Sequence, residues 1–231
     1  MPISAHYLVT ASIERGKNMY QHAGLLKQDM PDNHLYADVT KGKLDLMILR
    51  HMARRLHLTL YQLEAPVSAP QPLLYKLQER HGRTHRIVIY KYQELLLKRR
   101  LTFVGFISGK QKHLHASVIY AIQMVDRKLV QELVDIPGIL SYSSLELRNG
   151  DWCNLVILSD ANAKKQLKNT ETHAYAAYEL ANNYYEWIRL HNGIMPQGLD
   201  HTEMVLQRTR RYFFQLAQQP PSVRELSYGL C

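Results

Sequence analysis

His173, Tyr175, Tyr178 and Tyr184 lie close together in a segment whose small and aromatic residues recur at helical spacing. His173, Ala177, Leu180, Tyr184, Trp187 and His191 follow steps of 4, 3, 4, 3 and 4, which on a helix forms one stripe. Ala174, Tyr178, Ala181, Tyr185 and Ile188 form the stripe beside it. An imidazole and several phenols over a wall of alanines suit an apolar or aromatic ligand, and His173, Tyr175, Tyr178 and Tyr184 are its expected contacts. A helical histidine facing an apolar pocket also has the chemistry of an axial haem ligand. Haem is therefore one expectation for a cofactor that the sequence otherwise leaves unassigned. The alternative is a packing face, with the alanines letting helix and sheet approach closely.

Other chemistry is harder to place. His113 and His115 form an H-x-H pair, but no H-E-x-x-H or C-x-x-C completes a metal site, so no metal ligand is assigned. No Walker loop, dinucleotide fingerprint or nucleophile elbow occurs. No pair of carboxylates stands out as acid and base, so the catalytic residues are unknown and the sequence does not decide whether the chain is an enzyme.

The charge is unevenly spread. Residues 1–110 hold 17 Lys/Arg against 8 Asp/Glu, while residues 111–231 hold 12 of each, so the whole net charge of +9 belongs to the first part. Lys98, Arg99 and Arg100 are the expected patch for an anionic partner, an acidic protein or a nucleic acid. No RNP1-like string supports the nucleic acid. Only Cys153 and Cys231 are present, the N-terminus does not read as a secretory signal, and no long apolar run appears, so a cytoplasmic protein without a membrane span is expected.

Candidate sites need elements to hold them. Leu44, Ile48, Met52 and Leu56 predict a helix, followed by a β-like run over 58–63 and a proline-rich connector at 65–72. A short helix over 73–79 and strands over 86–92 and 100–108 come next. Alternation at Ala116, Val118, Tyr120, Ile122 and Met124 predicts a strand, with Asp126 capping a helix that Pro137-Gly138 ends. Strands over 140–147 and 152–158 flank an Asn149-Gly150 turn. A long helix is expected over 161–190 and a last strand over 203–214. From residue 115 this order is β-α-β-β-α-β, a split-βαβ sandwich. The expected divisions are a basic N-terminal α+β region over 1–110, a ferredoxin-like domain over 111–216, and a loosely ordered tail over 217–231.

The stretch IPGILSYSSLELRNGDWCNLVILSD, followed by THAYAAYELANNYYEWIRLHNGIMP, resembles the dimeric α+β barrel superfamily over about residues 113–214. That group includes antibiotic-biosynthesis monooxygenases, haem-degrading monooxygenases and chlorite dismutase-like proteins. The resemblance implies a pocket between sheet and helices for a small apolar, aromatic or tetrapyrrole ligand; it does not fix the reaction type, for which monooxygenase-like chemistry is one expectation. It also implies a homodimer in which a second sheet covers the open face, unless the N-terminal half covers it internally. A non-catalytic interaction module, with the basic N-terminal half binding an anionic partner, is the alternative function.

Overall fold

Leu49, Met52, Ala53, Leu56 and Leu60 fall three and four residues apart and are fully or almost fully buried, which winds helix α1 over Val39–Gln62. The computed structural model describes residues 39–62, 72–168, 170–201, 203–214 and 220–228. After α1 come β1 (Leu73–Gln78), β2 (Thr84–Ile89), α2 (Tyr92–Leu97) and β3 (Leu101–Lys110). Then follow α3 (Ala116–Glu132), β4 (Ile139–Glu146), β5 (Trp152–Leu158) and α4 (Ala163–Lys168). Helix α5 (Glu171–Tyr175), a π-turn (Ala176–Leu180) and α6 (Ala181–Tyr184) lead into β6 (Tyr185–Met195), β7 (Val205–Phe213) and β8 (Ser222–Ser227).

The strands form one eight-stranded antiparallel sheet in the order β1-β2-β4-β5-β3-β6-β7-β8. Its middle, β4-β5-β3-β6, is the ferredoxin-like arrangement, with α3 and the α4–α6 segment as its two crossovers. The β1–β2 hairpin extends one edge and β7–β8 the other.

Alternation along the strands divides the side chains between two faces. Ile87, Ile89, Phe103, Ile107, Cys153, Leu155 and Ile157 meet α1 in one dry core. Val88, Tyr142, Val104 and Val156 point to the opposite face, under α3 and the α4–α6 segment. Gly105 keeps α1 close, because a Cβ there would come within 2.5 Å of Leu49. The homodimer was expected on condition that the N-terminal half left the second face bare, and α1 occupies that face.

Several expectations change. The strand expected at 115–124 is the start of α3, where Ile122, Val125, Asp126 and Leu129 share one side at helical spacing. Asp126 therefore lies inside a helix, and His115 is the cap, its side chain accepting from the Ser117 amide at 3.3 Å. The first strand of the ferredoxin-like unit is β3, one element earlier than expected. This places residues 101–110 at the centre of the sheet, so a division at 110/111 does not separate two sheets.

The long helix ends at Tyr184, and Trp187 and His191 belong to β6, which pairs with β3 along its length. Long-range pairing there outweighs a helical spacing that Tyr185, Trp187 and Ile188 carry by chance. Leu73, Tyr75 and Leu77 pack on the α1 core with strict alternation, which makes 73–78 a strand where a helix was expected. Residues 58–62 continue α1 where a β-like run was expected. The tail holds β8, paired to β7 from Ser222 to Ser227. The connector expected at 65–72 lies almost wholly outside the described residues.

Candidate functional site

The helical layer over the face opposite α1 does not fill it. A cavity of about 280 Å³ remains between Val104, Phe106, Val156, Ile188 and Leu190 of the sheet and Ile122, Val125 and Leu129 of α3. Ala176, Ala177 and Ala181 form the rest of the roof, where larger residues would occupy the space. The roof includes the π-turn, a local widening of the helix that recurs at functional sites. The Thr172 hydroxyl donates to Glu132 at 2.6 Å and so ties α5 to the end of α3.

One side of the cavity is polar. Arg86 donates from both terminal nitrogens to Asp126, at 2.8 Å each. The Tyr142 hydroxyl lies 3.3 Å from Asp126 Oδ1 and 3.2 Å from Asn154 Oδ1, and its single proton serves one of them at a time. Burial pushes the Tyr142 phenol well up, helped by the neighbouring Asp126 charge, so it stays neutral and a donor. Burial raises Tyr185, another lining residue, in the same way. Lys164, also in the lining, donates to Asn192. The cavity is thus apolar on most walls, with a fixed ion pair, a phenol and an amide at one pole.

Of the residues expected to hold a ligand, His173 lines this cavity. Tyr175 is 41% exposed. Tyr178 and Tyr184 are outside the lining, and Tyr184 packs edge-on against Tyr185 at 4.8 Å. The structure brings Asp126, Tyr142, Asn154 and Tyr185 to the cavity instead. Asn154 had a readable signal, a lone amide in the apolar run Trp-Cys-Asn-Leu-Val-Ile-Leu. Asp126 had none, because it is held at the cavity by Arg86, which comes from a strand far away in the sequence. Lys98, Arg99 and Arg100 lie between α2 and β3, away from the cavity lining; Lys98 pairs with Glu94 at 3.6 Å, and Arg99 and Arg100 are exposed.

The α1 face carries a second polar array. Asp45, 3% exposed, accepts from Arg189 at 2.5 and 2.8 Å and lies 2.9 Å from His191 Nε2. His191 Nδ1 is 2.8 Å from the Thr209 hydroxyl, which lies 3.1 Å from Tyr228. Burial alone would raise the Asp45 carboxyl, but hydrogen bonds from His191 and Arg189 outweigh it and hold it below its ordinary value. Carboxylate, imidazole and hydroxyl in series have the order of a nucleophilic triad. Thr209 is 2% exposed and lies within the sheet under α1, away from the cavity, so no substrate reaches it. The array joins α1 to β6, β7 and Tyr228, the residue after β8. Cys153 is buried nearby, and burial raises its thiol far above a reactive range.

No protein-family model matches the chain, and no curated protein matches it. Among solved structures, a single-site variant of SnoaB, a cofactor-independent oxygenase from Streptomyces nogalater, is similar to part of it. The match covers 42% of this chain and 91% of that one, at 14% identity and a TM-score of 0.31, which is a weak resemblance of fold. Among the described residues no helix is long and apolar enough to cross a membrane.

Proposed function

We propose that the cavity binds a compact apolar or aromatic ligand bearing one polar substituent. Monooxygenase-like chemistry is one reaction class for such a ligand, and no residue of the cavity is assigned to it. The reading is carried by one observation: a mostly apolar cavity in which Asp126, Tyr142 and Asn154 form one hydrogen-bonded polar cluster, with Asp126 held by Arg86. Rings fill the apolar part, while a hydroxyl or carbonyl meets Tyr142 and Asn154.

Haem fits less well. His173 stands in the lining, but about 280 Å³ lies at the small end of ligand pockets and favours two fused rings over a tetrapyrrole. Calorimetric titration with 2-naphthol tests the reading. Saturable 1:1 binding is expected, and Tyr142→Phe should weaken it by about 0.5–1.5 kcal/mol, up to roughly tenfold. Absence of binding, or equal affinity in the variant, would count against it.

A second reading rests on the exposure of Arg99 and Arg100 beside Lys98. An anionic partner would dock there by long-range attraction, independently of the cavity. Salt-dependent retention of the protein on an acidic matrix, lost on reversing these three charges, is its test.

A further inference from the structure

His85 is an imidazole with no exposed surface, on the α1-facing side of β2 beside Ile87 and Ile89. Its Nδ1 lies 3.0 Å from Glu79 Oε1, just beyond the end of β1. His51 reaches the same oxygen from α1, with Nε2 at 3.4 Å. The three ligand atoms, two imidazole nitrogens and one carboxylate oxygen, all lie within 4.8 Å of one another. Ligands at about 2.0–2.2 Å around a tetrahedral ion stand roughly 3.4 Å apart. The observed spacing therefore needs only small side-chain rotations to close on a cation.

An ordinary ion pair explains part of this cluster. Arg55 Nε also lies 3.1 Å from Glu79 Oε1. That pair accounts for the carboxylate, but not for two further imidazoles converging on the same oxygen from a helix and a strand. The Arg55 side chain is 33% exposed although its Nε is buried, and a cation would have to displace it from Glu79. The site is open on one side, since the His51 side chain is 46% exposed while Glu79 is 11% exposed and His85 fully buried.

We propose that His51, Glu79 and His85 bind one divalent transition metal of the zinc class, with water completing its coordination. Two nitrogens and one oxygen suit zinc, cobalt or nickel better than magnesium or calcium. The site lies on the α1 side of the sheet, opposite the cavity, and is independent of the ligand reading. An ion there fastens α1 to the β1–β2 edge.

The test uses the full chain, stripped with a chelator and titrated with Zn²⁺ by calorimetry and with Co²⁺ by visible absorption. One ion per chain is expected, with cobalt bands of low coordination number and a higher melting temperature in zinc. His51→Ala, at a half-exposed position, should fold normally and weaken zinc at least tenfold. Glu79→Gln should do the same, and it keeps the shape of the side chain where His85→Ala risks misfolding. A chain with both His113→Ala and His115→Ala should bind as the parent does. The proposal is overturned by no stoichiometric binding, by affinity unchanged in both His51→Ala and Glu79→Gln, or by loss of binding in the His113/His115 control.

Discussion

The two faces of the sheet solve the same packing problem differently. Toward α1, Gly105 lets Leu49 settle onto β3, and the buried carboxylate of Asp45 is matched by Arg189 and His191. Toward α3 and the α5–α6 roof, small residues face the sheet and a cavity remains. One strand shows the contrast, because Phe103 and Ile107 are in the dry core while Val104 and Phe106 line the cavity. A face that fastens the fold leaves no room for a ligand, and a face that holds one gives up packing. Function is therefore expected where the packing is incomplete, and the buried Asp-His-Thr array, despite its order, belongs to the fold.

The largest effect that would break this comparison is at Asp45. Asp45→Ala leaves Arg189 and His191 facing a buried gap, and a loss of about 3–5 kcal/mol in denaturant unfolding is expected. Ligand affinity per folded molecule should be unchanged. Selective loss of binding at full stability would move function to the α1 face.

Neighbouring positions of β3 sharpen it next. Gly105→Ala forces a methyl against Leu49, at an expected cost of about 1–3 kcal/mol. Val104→Ile adds the same methylene toward the cavity and should change stability by no more than about 1 kcal/mol in either direction. Equal costs would mean that both faces are packed alike.

Acid should act through the α1 side. Burial lowers His85 below its ordinary value of 6.5, so the unfolded chain takes up this proton first and stability falls as pH drops below about 6.5. Glu79 is also held low: burial would raise it, but the His85 hydrogen bond and the Arg55 charge prevail. Its contribution is present above its ordinary 4.5 and is lost at more acidic pH, adding to the same trend. Metal-free protein should therefore melt at lower temperature at pH 5.5 than at pH 7.5, with a smaller difference in His85→Asn.

The smallest effect is expected at the basic turn. Reversing Lys98, Arg99 and Arg100 to Glu lowers the net charge from +9 to +3. Each exposed change should cost no more than about 0.5 kcal/mol, and 2-naphthol affinity should be unchanged. An anionic partner, measured by salt-dependent retention, should be lost.

Much of the ferredoxin-like unit was legible because its signals are local. The Asn149-Gly150 turn, the apolar run 152–158 and the stop at Pro137-Gly138 each depend on neighbours in sequence. The α3 and β6 errors arose where one spacing served both periods. In 116–124 Ala116, Val118, Tyr120, Ile122 and Met124 alternate, yet Tyr120 and Met124 are exposed and the inward side follows the helical period. His173 was readable as a pocket residue from its stripe of alanines. Asp126 and Tyr142 were not, because Arg86, which contacts both, comes from β2, a strand that pairs with β4 from far away in the sequence. The extension of the sheet by β1–β2 and β7–β8 was hidden for the same reason, since edge pairing is set by partners far along the chain.

The central claim is that the space under the π-turn receives the ligand, and filling it is the direct test. Ala177 stands in the roof of the cavity, so Ala177→Phe places a ring where the ligand's ring would lie. Titration of parent and variant with 2-naphthol, alongside their melting curves, should show 1:1 binding in the parent and at least about a hundredfold weaker binding in a folded Ala177→Phe chain. Equal affinity in the folded variant would contradict the account and place the ligand elsewhere.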